Sequence, residues 1–153
     1  WLGLLLGSAS DMINQWTGTS MVWSLKGMLG YIFYPFTLII GIPSEDAGLI
    51  SKIIGERIIL TEVASYQDLA KALAENALVH GRSAVITTYA LCGFAHVASM
   101  AIFVGGIAAL APERTADLSS VGPRALLAST FACLMTACVA GTFYTSTSLL
   151  IGN

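Results

Sequence analysis

The sequence predicts an all-α integral membrane protein whose helices are interrupted at membrane depth, and three observations predict it. Of the 153 residues, 56% are hydrophobic and only 10% charged, with a mean hydropathy of +0.77, whereas a soluble domain carries about 25% charged residues. Residues 83–111 form a run of 29 without Asp, Glu, Lys or Arg, against the about 20 that a helix needs to cross the hydrocarbon core. Residues 125–151 form a second such run of 27, enough for one tilted span with frayed ends.

The chain divides in order. Residues 1–26 read as the closing end of a helix that starts further upstream (WLGLLLG, with Trp1 in place of Met), followed by a polar stretch. That stretch carries Trp16 and Trp23, which suits a membrane–water interface. Residues 27–42 are apolar and aromatic but hold Pro35 in their middle, so an interfacial or partly embedded helix, kinked before the proline, is expected rather than a clean crossing.

Residues 43–82 open with PSEDAGLISKIIGERIILTEVA. Two short apolar pieces, 49–54 and 58–60, flank Gly55-Glu56-Arg57. Neither can span a bilayer, and both are too apolar for a solvated loop. Two half-length helices with a polar turn would make a re-entrant hairpin, which is allowed at membrane depth where protein or water surrounds the turn. Gly55 is its expected hinge. One amphipathic interfacial helix is the other reading of the same letters. The polar stretch SYQDLAKALAENALVHGR, residues 65–82, reads as a solvent-facing connector helix stopped by Gly81.

The run 83–111 is too long for one straight helix and is expected to break at Cys92-Gly93. Residues 112–124 (PERTADLSSVGPR) read as a solvated loop, and 125–153 as the final transmembrane helix. Small residues such as Ala128, Ser129, Ala132, Ala137, Ala140 and Gly141 run through that helix, as helix packing in lipid prefers.

Several function classes are excluded or disfavoured. Seven Lys and Arg scattered through a chain of net charge −2 cannot build a basic face for nucleic acid. Cys92, Cys133 and Cys138 lie in apolar runs without CxxC or metal-ligand spacing and read as small packing residues. No Gly-x-Ser-x-Gly elbow, phosphate loop or HExxH supports an enzyme.

Two ionisable residues stand out. His96 lies three residues after the glycine break in the uncharged run. A polar group at that depth beside a break is the pattern of a discontinuous helix at a binding site. The same histidine could equally bridge two helices as a satisfied polar residue. Glu62 follows the second apolar piece of the hairpin. It is either a solvated helix-end charge or a buried acceptor for substrate hydroxyls, since a carboxylate accepts from two hydroxyls at once. The paired interruption, one split short segment and one split long one, argues against a subunit that only packs against partners.

At this point the letters resemble a family. YALCGFAHVASMAIFVGGIAALAPER is similar to the Tyr-Ala-Leu-Cys-Gly-Phe-Ala-Asn-Phe-Ser-Ser run, Gly-Gly and Ala-Pro-Glu-Arg of the concentrative nucleoside transporters. GIPSEDAGLISKIIGERIILTEVASYQDLA resembles their Gly-Val-Pro, Gly-x-Lys and Leu-Asn-Glu-Phe series. The likeness covers most of residues 27–151 and favours the hairpin reading of 43–64.

The resemblance implies a homotrimeric, elevator-type secondary transporter in the plasma (inner) membrane, crossing it several times, driven by a Na+ or H+ gradient. This chain would be its second inverted repeat: re-entrant hairpin, discontinuous transmembrane helix and final transmembrane helix. It implies a nucleoside as substrate, no cofactor, and a coupling cation bound outside this chain. By the same resemblance the ribose would be bound by Glu62, Phe94, His96 and Ser99, with His96 where the family has Asn. The alternative is a diverged paralogue or membrane subunit of the same fold that binds no nucleoside.

Overall fold

The computed structural model describes residues 25–145. The expectations for residues 1–24 and for the tail 146–153 lie outside that range. The described residues form six α-helices and no strand: α1 Leu25–Ile39, α2 Ser44–Glu56, α3 Glu62–Ala74, α4 Gly81–Leu91, α5 Val97–Leu110 and α6 Thr115–Thr142. A 3-10 turn, Pro112–Arg114, leads into α6.

Pro35 sits inside α1 rather than ending it. The helix packs along α2 through glycine. A Cβ added at Gly55 would lie 2.9 Å from the backbone of Leu29, and one at Gly30 2.8 Å from Lys52 Cγ. Gly55 is therefore not the hinge expected from the sequence. It lies within α2, where only a residue without a side chain lets two backbones approach this closely. The chain leaves α2 at Arg57, and the turn runs over residues 57–61 before α3 begins at Glu62.

The polar stretch after the turn also differs from expectation. It is the second arm of a helix–turn–helix, burying Ser65, Leu69 and Ala72 on one face. Its stop is Asn76, not Gly81. Asn76 takes a positive φ of 50°, its N–H donates to Leu73 O at 3.1 Å, and the N–H of Ala77 donates to Ala72 O at 2.8 Å. That pair of bonds is a Schellman cap, in which Asn is the usual substitute for Gly. Gly81 instead opens α4.

The run 83–111 is broken at Cys92-Gly93 as expected, into α4 and α5 with residues 92–96 non-helical between them. The loop expected over 112–124 is largely absent. Helix α6 starts at Thr115 and carries Pro123 inside it. Its first turns are held by an Arg114–Asp117 ion pair at 2.8 Å and by hydroxyls bonded back to the helix carbonyls, Ser119 to Thr115 O and Ser120 to Asp117 O, both at 2.8 Å. Among the described residues, Pro112–Thr142 is the one stretch long and apolar enough to cross a membrane; Gly27–Ile39 and Val97–Leu110 are shorter apolar helices.

The core joins α1, α2, α4 and α6, with Phe33, Ile50, Ile53, Ile54, Ile86, Leu91, Leu134 and Ala137 buried in one cluster. The first half of the broken helix is thereby fixed, and its C-terminal end is held against the turn after α2.

Candidate functional site

A helix that stops in mid-protein leaves its last carbonyls and the next helix's first amides without partners. At the break between α4 and α5 the turn after α2 and helix α3 supply many of them. Arg57, 3% exposed, donates through Nη1 to the Ala90 carbonyl and through Nη2 to Cys133 Sγ at 3.3 Å. The hydroxyl of Tyr66 donates to Thr88 O at 2.9 Å. The N–H of Cys92 closes onto Tyr89 O at 3.4 Å. On the other side of the break, the N–H of Val97 donates to Ile58 O at 2.9 Å.

The break itself needs Gly93. A Cβ there would overlap Cys133 Sγ on α6, so the chain can pass this close to α6 only as glycine.

His96 is the N-cap of α5, with extended backbone angles of φ −139° and ψ 159°. Its Nδ1 accepts the N–H of Ser99, the third residue of the helix, at 3.0 Å. That is the bond an N-cap side chain makes. Because a backbone N–H can only donate, Nδ1 carries no hydrogen in this arrangement, and the ring hydrogen sits on Nε2. Nε2 then donates to Glu62 Oε2 at 2.5 Å. Ser99 Oγ lies 2.7 Å from Nε2 and 3.0 Å from Nδ1. His96 is 4% exposed and Ser99 is buried, while Glu62, in the first turn of α3, keeps part of its carboxylate open.

The helix ends match these charges. The positive N-terminal end of α5 lies beside the Glu62 carboxylate, and the negative C-terminal end of α4 receives the Arg57 guanidinium.

A cavity of about 420 Å³ opens over this cluster, lined by Thr61, Glu62, Val63, Phe94, His96, Ala98, Ser99, Ile102 and Phe103. Its size is within the range of small-molecule sites, and its pattern of apolar walls with a few convergent polar groups is that of a ligand pocket. Phe94 is 68% exposed and also edges a second cavity of about 290 Å³ between α5 and α6, whose lining contains no charged side chain. Among the described residues no group of His, Cys, Asp and Glu could hold a metal ion.

The structure thus brings Glu62, His96 and Ser99 into direct contact and puts Phe94 on the wall of the same cavity. Sequence reasoning missed Arg57, Tyr66 and Cys133. Arg57 carried a signal, a charge between two apolar pieces, but was read only as part of a polar turn. Cys133 does more than fill space, since it accepts from Arg57, and Cys92 is exposed rather than packed.

A second polar cluster anchors the other end of α4. Asp46, 1% exposed, accepts the N–H of Val79 at 2.8 Å, the N–H of His80 at 3.1 Å and the Ser83 hydroxyl at 2.5 Å. Its Oδ2 also lies 3.3 Å from His80 Nδ1. It thereby ties the segment before α4, and through Ser83 the first turn of α4, to α2.

With this geometry described, the comparisons with known proteins can be set beside it. The family profile described as "Na+ dependent nucleoside transporter C-terminus" matches residues 4–141. Solute carrier family 28 member 3 of Mus musculus is 39% identical over 153 residues, covering 90% of this chain and 22% of its own length. Sodium/nucleoside cotransporter 1 of Rattus norvegicus is 35% identical over 133 residues, covering 79% of this chain and 20% of its own. Among solved structures, CNTnw in an inward-facing substrate-bound state superposes with a TM-score of 0.81 at 32% identity, over 93% of this chain and 34% of that one. The chain spans about a fifth of the length of the curated relatives it matches.

Proposed function

This chain belongs to the Na+-dependent nucleoside transporter family, and we propose that it is the part of a secondary active transporter that binds the ribose of a nucleoside. The observation that carries the proposal is the contact between Glu62 and His96, 2.5 Å long, at the floor of a cavity walled by Phe94.

The chemistry follows from donors and acceptors. A sugar hydroxyl both donates and accepts. Glu62 offers a carboxylate acceptor, His96 an Nε2–H donor, and Ser99 a hydroxyl that does either. A vicinal diol entering the cavity can donate one hydrogen to Glu62 while the other hydroxyl accepts from His96 or pairs with Ser99. Phe94, exposed at the cavity wall, gives the sugar an apolar face.

His96 fits the role that the resemblance gives to Asn. Nδ1 and an amide oxygen are both attached to Cγ, so Nδ1 caps the Ser99 amide as Asn would. Nε2–H replaces the amide N–H as donor. Nδ1 is taken by the Ser99 amide and Nε2–H is left as the donor, and, as in the family, we expect uptake to follow sodium.

In this reading α2 and α3 form a re-entrant hairpin, α4 and α5 one discontinuous transmembrane helix, and α6 the final transmembrane helix. The assembly is a homotrimer working as an elevator in the plasma (inner) membrane, crossing it several times. The coupling cation is bound outside this chain. The substrate is a nucleoside; nucleic acid is not a partner.

The test is uridine uptake by the full-length protein in liposomes, with and without a sodium gradient, at about pH 5.5 and about pH 7.5. Sodium-dependent uptake at both values is expected, as is an approximately tenfold loss of apparent affinity in Glu62→Gln from weakening a charge-assisted hydrogen bond. Uptake unchanged in Glu62→Gln overturns the role of Glu62. A pH-driven uptake would make proton coupling the mechanism and His96 the first residue to replace.

One observation favours the second reading, a paralogue of the same fold that binds no nucleoside. Glu62, His96 and Ser99 already satisfy one another without any ligand. Absence of uptake and of any nucleoside-induced thermal shift in the full-length trimer would establish it.

A further inference from the structure

The turn after α2 and the start of α3 are joined to the broken helix at three successive points. Arg57 donates to the Ala90 carbonyl, the last-turn end of α4. Ile58, its neighbour, accepts the N–H of Val97, the first residue of α5. Four residues further on, Glu62 meets His96, the residue that precedes Val97. The dipeptide Arg57-Ile58 therefore touches both halves of the broken helix across the gap, and it stands between the core and the cavity. Arg57 also reaches a third helix through Cys133 Sγ at 3.3 Å, beside the glycine that lets α6 come close.

We propose that Arg57 is a positioning residue for the Glu62–His96 site: it fixes the distance between the two halves of the broken helix and so sets where Glu62 meets His96. Arg57 does not line the cavity and acts through Ile58 and Val97. A planar guanidinium suits this because two of its N–H groups point in fixed directions, one to a carbonyl and one to a thiol. Its positive charge also lies at the negative end of α4, where it is favoured. Since Val97 N–H is the first amide of α5, any slackening at Arg57 reaches the N-terminal end on which His96 is the cap.

The role rests on the nucleoside-binding function proposed above, and its test separates the two. Arg57→Lys and Arg57→Met are made in the full-length protein, and uridine affinity is measured together with amide hydrogen exchange over residues 95–100. Arg57→Met is expected to weaken uridine about tenfold and Arg57→Lys about threefold, both with faster exchange at Val97 and Ser99. In a Glu62→Gln background, assayed at millimolar uridine, Arg57→Met is expected to add less than about twofold, because the contact it places has already been weakened. Losses that multiply fully in the double variant, or uridine affinity and exchange both unchanged in Arg57→Lys, overturn the proposal. If Arg57→Met does not yield folded protein, Arg57→Lys decides it alone. If the unaltered protein binds no uridine, the function reading fails, while the exchange at residues 95–100 still reports on Arg57.

Discussion

Helices α4 and α5 come from one uncharged run, yet they are packed in opposite ways. Seven of the residues of α4 are buried, Ser83, Ala84, Val85, Ile86, Thr87, Ala90 and Leu91. Helix α5 buries Ser99 alone, and Ile102, Phe103 and Leu110 are largely exposed. Hydroxyls tie down the buried half: Ser83 bonds to Asp46, and Thr87 and Thr88 bond back to the carbonyls of Ser83 and Ala84. Apolar surface gains little by turning inward when lipid is the alternative, so small and polar residues decide which helix is packed inside. The half with seven buried residues is the more firmly packed, and the half that buries Ser99 alone is the one that presents the site.

The contrast can be broken most decisively by a matched pair. Ile86→Ala empties a fully buried position and is expected to lower stability by about 2–5 kcal/mol. Ile102→Ala, at a position 72% exposed, is expected to stay within about 0.5 kcal/mol. Unfolding of the full-length protein in detergent measures both, and equal losses would show that the two halves are packed alike.

Gly93→Ala tests the point where the halves separate. Its Cβ must displace Cys133 Sγ, at an expected cost of about 1–3 kcal/mol. Adding Cys133→Ala should restore part of that by making room. A Gly93→Ala protein as stable as the parent would mean that the break does not depend on close approach to α6.

The smallest effect sharpens the comparison from the other end. Asp46→Asn keeps a hydrogen-bonding side chain at the start of α4 but removes its charge and one acceptor oxygen. Stability is expected to fall by about 1 kcal/mol, as for the loss of one buried hydrogen bond. Uridine affinity should be unchanged, since Asp46 lies at the far end of α4 from His96. A weakened affinity would tie the two polar clusters together.

Much of this was legible in the letters. The break at Cys92-Gly93 could be read because 29 uncharged residues exceed one span and glycine is where a helix gives way. Glu62 and His96 stood out as ionisable groups beside apolar runs. The turn at 57–61 was found one step early, because Gly55 reads equally as a hinge and as a close-packing residue. The extent of α6 was misread because Gly122-Pro123 and four charges resemble a loop, while a proline within a long helix leaves no mark that separates the two cases.

By itself the sequence determined that the chain is helical and apolar, where its longest run must break, and which few polar side chains stand near that break. These are properties of local composition and period, which need no knowledge of neighbours. Only the tertiary structure decided that Arg57 and Ile58 bridge the break, that Nδ1 of His96 is used by an amide and Nε2 by Glu62, and that α4 is inside while α5 is not. Arg57 and Ala90 stand 33 residues apart in sequence, and Glu62 and His96 34, so both pairings depend on groups of one element finding partners on another. The spacing of letters along the chain carries no record of those pairings.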